Sequence, residues 1–266
     1  MVLCGLHLIA LEPGTSIESF LFELCQNGIK PIVQARALRW MILPSRMSTG
    51  HLLARNIHWD LLLVLDAEAV IPGNVHAKIQ ALWSASCGVS SQALSKYAEN
   101  NARLLNPEPG SVEPPVPHET TPSESSQNLE VSPELSDWIS SLPGQLRDHP
   151  VSMLNLLAFN PGKKDQYKKY GAEFSERVGS RHGGRVKIVG KVVGGQAMDD
   201  GWDEIAFVHY PSVQHFAAMA ASKDYQEVNR EYRLGALKDT FILCVVEVDG
   251  RGSSAGNRGG VPREKL

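Results

Sequence analysis

Two histidines lie inside apolar runs, His7 in LHLIAL and His58 in IHWDLLL, and a third, His209, falls near the end of IAFVHY. Imidazole titrates close to neutral pH, so each could give or take a proton as a general acid or base. Asn155, in LNLLAF, stands at the position of His7 in a second copy of the same pattern, and an amide donor there would suit a developing oxyanion. A polar side chain on a strand with apolar neighbours needs a hydrogen-bond partner. His7 and Asn155 are therefore either satisfied core groups or members of a pocket, and residue type alone leaves both open.

Around these lie indoles, phenols and a guanidinium that could line a cavity. In GWDEIAFVHYPS, strand alternation puts Trp202, Glu204, Ala206, Val208 and Tyr210 on one face and Asp203, Ile205, Phe207 and His209 on the other. His209 and Tyr210 then share a cavity only if the strand bulges. Tyr210-Pro211-Ser212 reads as a turn, which leaves His209 either at a rim or partly buried and able to carry a proton. Tyr167 and Tyr170 fall on the buried stripe of a helix, where a tethered core hydroxyl is the commoner role. GSRHGGRV lacks the flanking elements and the lysine of a nucleotide loop, and reads as a helix stop with glycines at positive φ. Arg185 within it could hold a carboxylate or enolate. Trp59 in HWD matches Trp202 in GWD. No three ligands fall at metal spacing, and nothing marks a nicotinamide, flavin or haem site or a nucleophile elbow, so no cofactor is expected.

The elements that must position these groups come in two copies. LHLIALEPG and LNLLAFNPG begin at Leu6 and Leu154, 148 positions apart, whereas Trp59-Asp60 and Trp202-Asp203 are 143 apart. The first copy therefore carries five extra residues, placed near 45–56. In the second copy the apolar patterns give a strand over 153–159 and a helix with Tyr167, Tyr170, Phe174 and Val178 on one stripe. Strands follow over 185–193 and from Trp202, then a helix capped by Ser212, a helical stretch near 225–237 and a strand over 241–248. That order is the ferredoxin-like β-α-β-β-α-β plan. The first copy offers a strand over 6–11, a helix burying Ile17, Phe20, Leu21 and Leu24, strands over 32–43 and 59–66, and a helix from about Asn74. No β-rich run occupies the place of its fourth strand.

A stretch rich in Pro, Ser, Thr and Glu with few large apolar residues cannot offset its ordering entropy by burial. The chain is thus divided into a degenerate repeat over 1–105, a linker over 106–133, a second repeat over 134–249 and a disordered, locally basic tail over 250–266. Helices cover one face of a ferredoxin-like sheet, so a first strand apolar on both faces requires a second cover. The two sheets are expected to face each other within one polypeptide, enclosing an oily chamber that holds a few imidazoles and amides.

The stretches MLNLLAF, YKKYG, HGGRVKIVGKV, WDEIAFVHYPS, FAAMAASKDYQ and RLGALKDTFIL resemble, in that order, the dimeric α+β barrel superfamily, and specifically a branch of unknown function. The likeness spans 150–249; the first copy shares only LHLIALEPG and HWDLLLVLD with it. Single-domain members pair as homodimers, so the resemblance implies a pair made in cis. It also implies a choice among cofactor-free polyketide cyclases, monooxygenases, isomerases, decarboxylating enzymes and haem-degrading proteins. The interrupted tandem arrangement is similar to fungal proteins that tailor metabolites. His7 and His58 resemble the strand histidines lining the pocket of plant-type polyketide cyclases.

Composition agrees with an ordinary soluble protein: 42% hydrophobic, 21% charged and a formal net charge of −3, which supplies no broad basic field for nucleic acid or anionic lipid. Four scattered cysteines without a close pair suggest a reduced, cytoplasmic setting, and no membrane span or cleaved leader is indicated. The expected function is a cofactor-independent acid–base enzyme acting on a polyketide-like small molecule of secondary metabolism, as cyclase, isomerase, dehydratase or decarboxylase. His7, His58 or His209 would be the base and Asn155 the oxyanion donor, with Trp202, Tyr210, Tyr167, Tyr170, Arg185 and Trp59 binding substrate. The alternatives are a cofactorless or haem-linked monooxygenase and a non-enzymatic binding or assembly module. A homodimer is compatible with each.

Overall fold

The computed structural model describes residues 1–115, 131–250 and 252–254. Eight strands carry the fold: β1 (Val2–Leu11), β2 (Val33–Ile42), β3 (Leu61–Asp66), β4 (Ile79–Val89), β5 (Val151–Phe159), β6 (Arg185–Gly194), β7 (Glu204–Tyr210) and β8 (Leu237–Glu247). All pairings are antiparallel, and they close into a barrel in the order β1-β3-β2-β8-β5-β7-β6-β4. Each half contributes a sheet with the ferredoxin-like order 4-1-3-2, and the seams are β2 with β8 and β4 with β6. Two repeats therefore form an α+β barrel within one chain, and closure leaves no sheet edge.

The repeated Trp-Asp has a structural cause. Asp60 accepts the Leu11 amide through its carboxylate at 2.8 Å and donates its own amide to Ile9 at 2.9 Å. Asp203 accepts the Phe159 amide at 2.8 Å and donates to Leu157 at 2.9 Å. In both halves one aspartate ties the end of the first strand to the start of the third.

Two expectations for the first repeat are corrected. Its fourth strand is present as β4, and the helix from Asn74 shrinks to the single turn Gly73–His76. IQALWSASCGV does alternate: Ala81, Trp83, Ala85, Cys87 and Val89 point inward and are buried, while Gln80 and Ser86 are exposed. Its Ala, Ser and Gly residues have low strand propensity, so the period-two pattern was masked by composition. The segment that follows forms short helices, Ser91–Ser95 and Tyr97–Leu105, near one end of the barrel. Near the other end the inserted loop is held by Asp239, whose carboxylate accepts the amides of Ser45, Arg46 and Met47 at 2.9, 2.5 and 2.8 Å.

Packing forms three layers. Cys4, Leu6, Leu8, Leu62, Trp83 and Phe207 belong to the filling of the barrel. The helix Ile17–Gln26, capped by Ser16, lays Ile17, Phe20, Leu21 and Leu24 on Ile9, Leu61, Leu63 and Leu65 outside the first sheet. A third cluster lies outside the second sheet under the remaining helices and also takes in Leu135 and Ile139 from the helix Pro133–Ser141. Among the described residues the expected chamber between the sheets is absent. A void bounded by Cys4, Leu6, Leu62, Cys87, Ile188 and Phe207 measures about 10 Å³, at the lower limit for one water. Apolar side chains from all eight strands fill that space.

The centre of the assigned linker, 116–130, and residues 251 and 255–266 of the tail lie outside the described residues. Among the described residues no helix is long and apolar enough to cross a membrane.

Candidate functional site

Because the barrel is filled, a ligand site must lie elsewhere, and one lies outside it in the second half. A cavity of about 100 Å³ separates the outer face of β5, β7 and β8 from the helices above. Alternation on β7 sends Glu204, Ala206, Val208 and Tyr210 into this cavity, and Met153 and Asn155 enter it from β5. The roof is the helix Lys164–Glu173, which continues as a π-helical segment, Phe174–Gly179, together with Lys223–Val228, which continues as a second, Asn229–Arg233. Each π segment places a residue on the cavity, Phe174 from the first and Arg233 from the second. The wider turn of a π segment re-aims side chains, and such segments recur at functional sites.

The polar content is concentrated. Arg233 is 2% exposed, bonds to Asn229 at 3.4 Å and is hydrogen-bonded to the Tyr167 hydroxyl. Tyr170 is hydrogen-bonded to Tyr225, which is itself buried. Burial pushes the phenols of Tyr167, Tyr170 and Tyr210 well above their ordinary range, an effect that the nearby Arg233 charge opposes. These hydroxyls are donors at neutral pH, not bases. Asn155 donates from Nδ2 to the carbonyls of Met153 at 3.0 Å and Ala206 at 3.2 Å, so its amide protons are spent on the strands and it does not supply the oxyanion donor expected from sequence. Glu204 is the carboxylate of the lining, bonded to Lys164 at 2.7 Å. Val186 and Val189 on β6 also line the cavity and are 45% and 43% exposed, so it opens along that strand.

Four of the residues selected from sequence thus meet here: Asn155, Tyr167, Tyr170 and Tyr210. The others lie elsewhere. His7 sits on the outer face of β1 in the first half, its ring over Gly5, with Nδ1 unpartnered among the described residues. Burial holds its imidazole below the usual range. His58 is exposed and lies 3.6 Å from Asp60. Trp59 and Trp202 are buried in the barrel filling. Trp202 departs from the expected alternation because β7 begins two residues later and Trp202 belongs to the preceding turn, its amide bonded to Ala197. His209 faces inward and is 2% exposed; burial first, then Lys187, Arg185 and His215, push it down to about 3. Arg185 spends one nitrogen on the carbonyls of Gly179 and Gly184, at 2.8 and 3.0 Å, and so pins the end of the helix. Arg233, Tyr225 and Glu204 are lining residues that sequence reasoning missed: Tyr225, Asn229 and Arg233 are buried at four-residue steps on one helical face, but an arginine or a glutamate in such a pattern carries no sign of burial.

No family model and no curated protein matches the chain. Among solved structures it is similar to a protein of unknown function from Rhodopseudomonas palustris, at 25% identity over 48% of this chain and 95% of that one, with a TM-score of 0.34. It is also similar to a "putative monooxygenase" of Lactobacillus acidophilus, at 8% identity over 96% and 98% of the two chains with a TM-score of 0.44. A protein of the same description from Fusobacterium nucleatum subsp. nucleatum aligns at 9% identity over 100% and 98%, also at 0.44.

Proposed function

We propose that the outer cavity of the second half binds a small oxygenated acid and catalyses proton transfer on it, as an isomerase or decarboxylase would. The observation that supports this is a guanidinium and four tyrosines turned into one cavity, with the Glu204 carboxylate and the Asn155 amide among its apolar side chains. A fixed cation with neutral phenolic donors holds a carboxylate or an enolate oxygen, and the low dielectric around them strengthens that hold. Glu204 would be the base and a tyrosine hydroxyl the acid, replacing the histidine base expected from sequence. Size restricts the ligand. A dry cavity of roughly 150 Å³ takes up benzene, so about 100 Å³ with one open side suits a single ring or a short chain. A multi-ring polyketide would require the helices to part.

The test is deuterium exchange. Small 2-oxo acids and β-diketones incubated with the protein in D₂O are followed by proton NMR. Native protein should exchange the carbon-bound proton, Glu204→Gln should bind without exchanging, and Arg233→Met should lose binding. Exchange that persists in both variants would remove the proposal. Oxygen uptake without exchange would move the reading to a monooxygenase.

A further inference from the structure

A cluster that plays no part in the outer cavity occupies one end of the barrel. Lys187 is the residue at which the β6–β7 register shifts, between Val186 and Ile188, and its side chain is 2% exposed. Strand irregularities of this kind re-aim a side chain, and here the ammonium is ion-paired with Glu247, which is 6% exposed. The Ser152 hydroxyl lies 3.2 Å from Nζ, and the rings of Phe207 and Tyr97 lie 4.9 and 5.6 Å away. Glu247 also accepts from Asn101 at 2.6 Å and from the Tyr97 hydroxyl at 3.4 Å. Above the cluster is a cleft of about 310 Å³, bounded by Tyr97, Asn100, Asn101 and Leu104 and reaching Lys187. Two buried polar atoms at this end, Asn101 Oδ1 and His209 Nδ1, have no partner among the described residues.

We infer that Lys187 is a second reactive centre, condensing with small aldehydes or ketones that enter this cleft to form a Schiff base. A nucleophilic amine must be neutral. Deep burial works towards that, Glu247 opposes it while standing ready to take the proton, and the Ser152 and Tyr97 hydroxyls belong to the same cluster. The step balances. Glu247 takes one proton from the ammonium, and the freed amine attacks the carbonyl carbon as the C=O π bond breaks towards oxygen. That oxygen collects the proton from Glu247 and a second from the nitrogen, then leaves as water while C=N forms. The product is an iminium facing the carboxylate. Burial lowers the lysine's affinity for its proton while Glu247 raises it, the first effect being the larger. A purely structural ion pair would need no cleft beside it.

This inference does not depend on the reading of the outer cavity, because its test reads a covalent bond at one lysine. The full chain is treated with butanal or benzaldehyde and sodium cyanoborohydride, digested, and mapped by mass spectrometry. The expected result is reductive alkylation at Lys187 several-fold faster than at exposed lysines such as Lys96 and Lys191. Tyr97→Phe should slow it, and Lys187→Arg should abolish the fast phase while the surface sites react as before. Alkylation of exposed lysines with Lys187 untouched in the native chain overturns the inference, whatever the variants do.

Discussion

Removing the charge of Glu247 is the sharpest probe of the barrel end. In Glu247→Gln the amide keeps one acceptor for Asn101 or Tyr97, but the ammonium of Lys187 stays 2% exposed with no carboxylate bonded to it. Removing one partner of a buried pair costs about 3–5 kcal/mol, because the remaining charge is left uncompensated. For a chain of this size each kcal/mol lowers Tm by roughly 2–4 °C, so differential scanning calorimetry should show a fall of roughly 6–20 °C. The penalty should also depend on pH. Lys187 in the folded variant has a lowered pKa, so the penalty is complete below that value. Between it and the unfolded value of about 10.4 the unfolded state binds the extra proton, and stability recovers as pH rises. Replacing both partners, as Lys187→Met with Glu247→Leu, fills the space with apolar atoms and should cost little. The reasoning fails if the single variant melts within about 2 °C of the native protein, or if the double variant is as damaged as the single.

Three further outcomes follow from the fold. Asp239→Ala removes the anchor for the amides of Ser45, Arg46 and Met47; the loss should be about 3 kcal/mol in urea unfolding, with faster amide exchange confined to 45–56. Cys4, Cys87 and Cys244 are buried and Cys25 is exposed, and burial pushes Cys87 and Cys244 up to about 12. A thiol reagent should therefore titrate one cysteine quickly in native protein and all four after unfolding. His209, pushed down to about 3 by burial, stays neutral in the fold while the unfolded chain protonates near 6.5. Its contribution is complete above about 6.5 and is lost as pH falls towards 3, so His209→Phe should flatten the acid limb of the stability profile.

Much of this architecture was legible in the residues. The recurrence of LHLIALEPG and of Trp-Asp gave the repeat, since both record a strand, its turn and the aspartate that ties them. The stripe Ile17, Phe20, Leu21 and Leu24 was readable because a helix on a sheet buries one face. Strand β4 was not, because Ala81, Ala85 and Cys87, which share its inward face with Trp83 and Val89, and Ser and Gly on the same stretch dilute the strand signal. The chamber was inferred from strands apolar on both faces, yet that pattern fits a filled barrel equally well, and only side-chain volume separates the two. At the site, alternation placed Tyr210 and separated it from His209 correctly, and the helical stripe placed Tyr167 and Tyr170. Arg233 was hidden because a charged side chain gives no sign of burial, even though it follows Tyr225 and Asn229 at four-residue steps on one buried face. Residue type did not place the histidines: His7 lies on the outer face of β1, His209 faces into the barrel, and His58 is exposed ahead of β3.

The most direct test is to locate a bound ligand. Crystals of the full chain soaked with benzoate or a small enolisable acid should show density between the helix Lys164–Glu173 and β7, with its carboxylate or enolate oxygen against Arg233 and the tyrosine hydroxyls, and Arg233→Met should abolish it. Density inside the barrel, or binding at the outer cavity that survives Arg233→Met unchanged, would contradict the account.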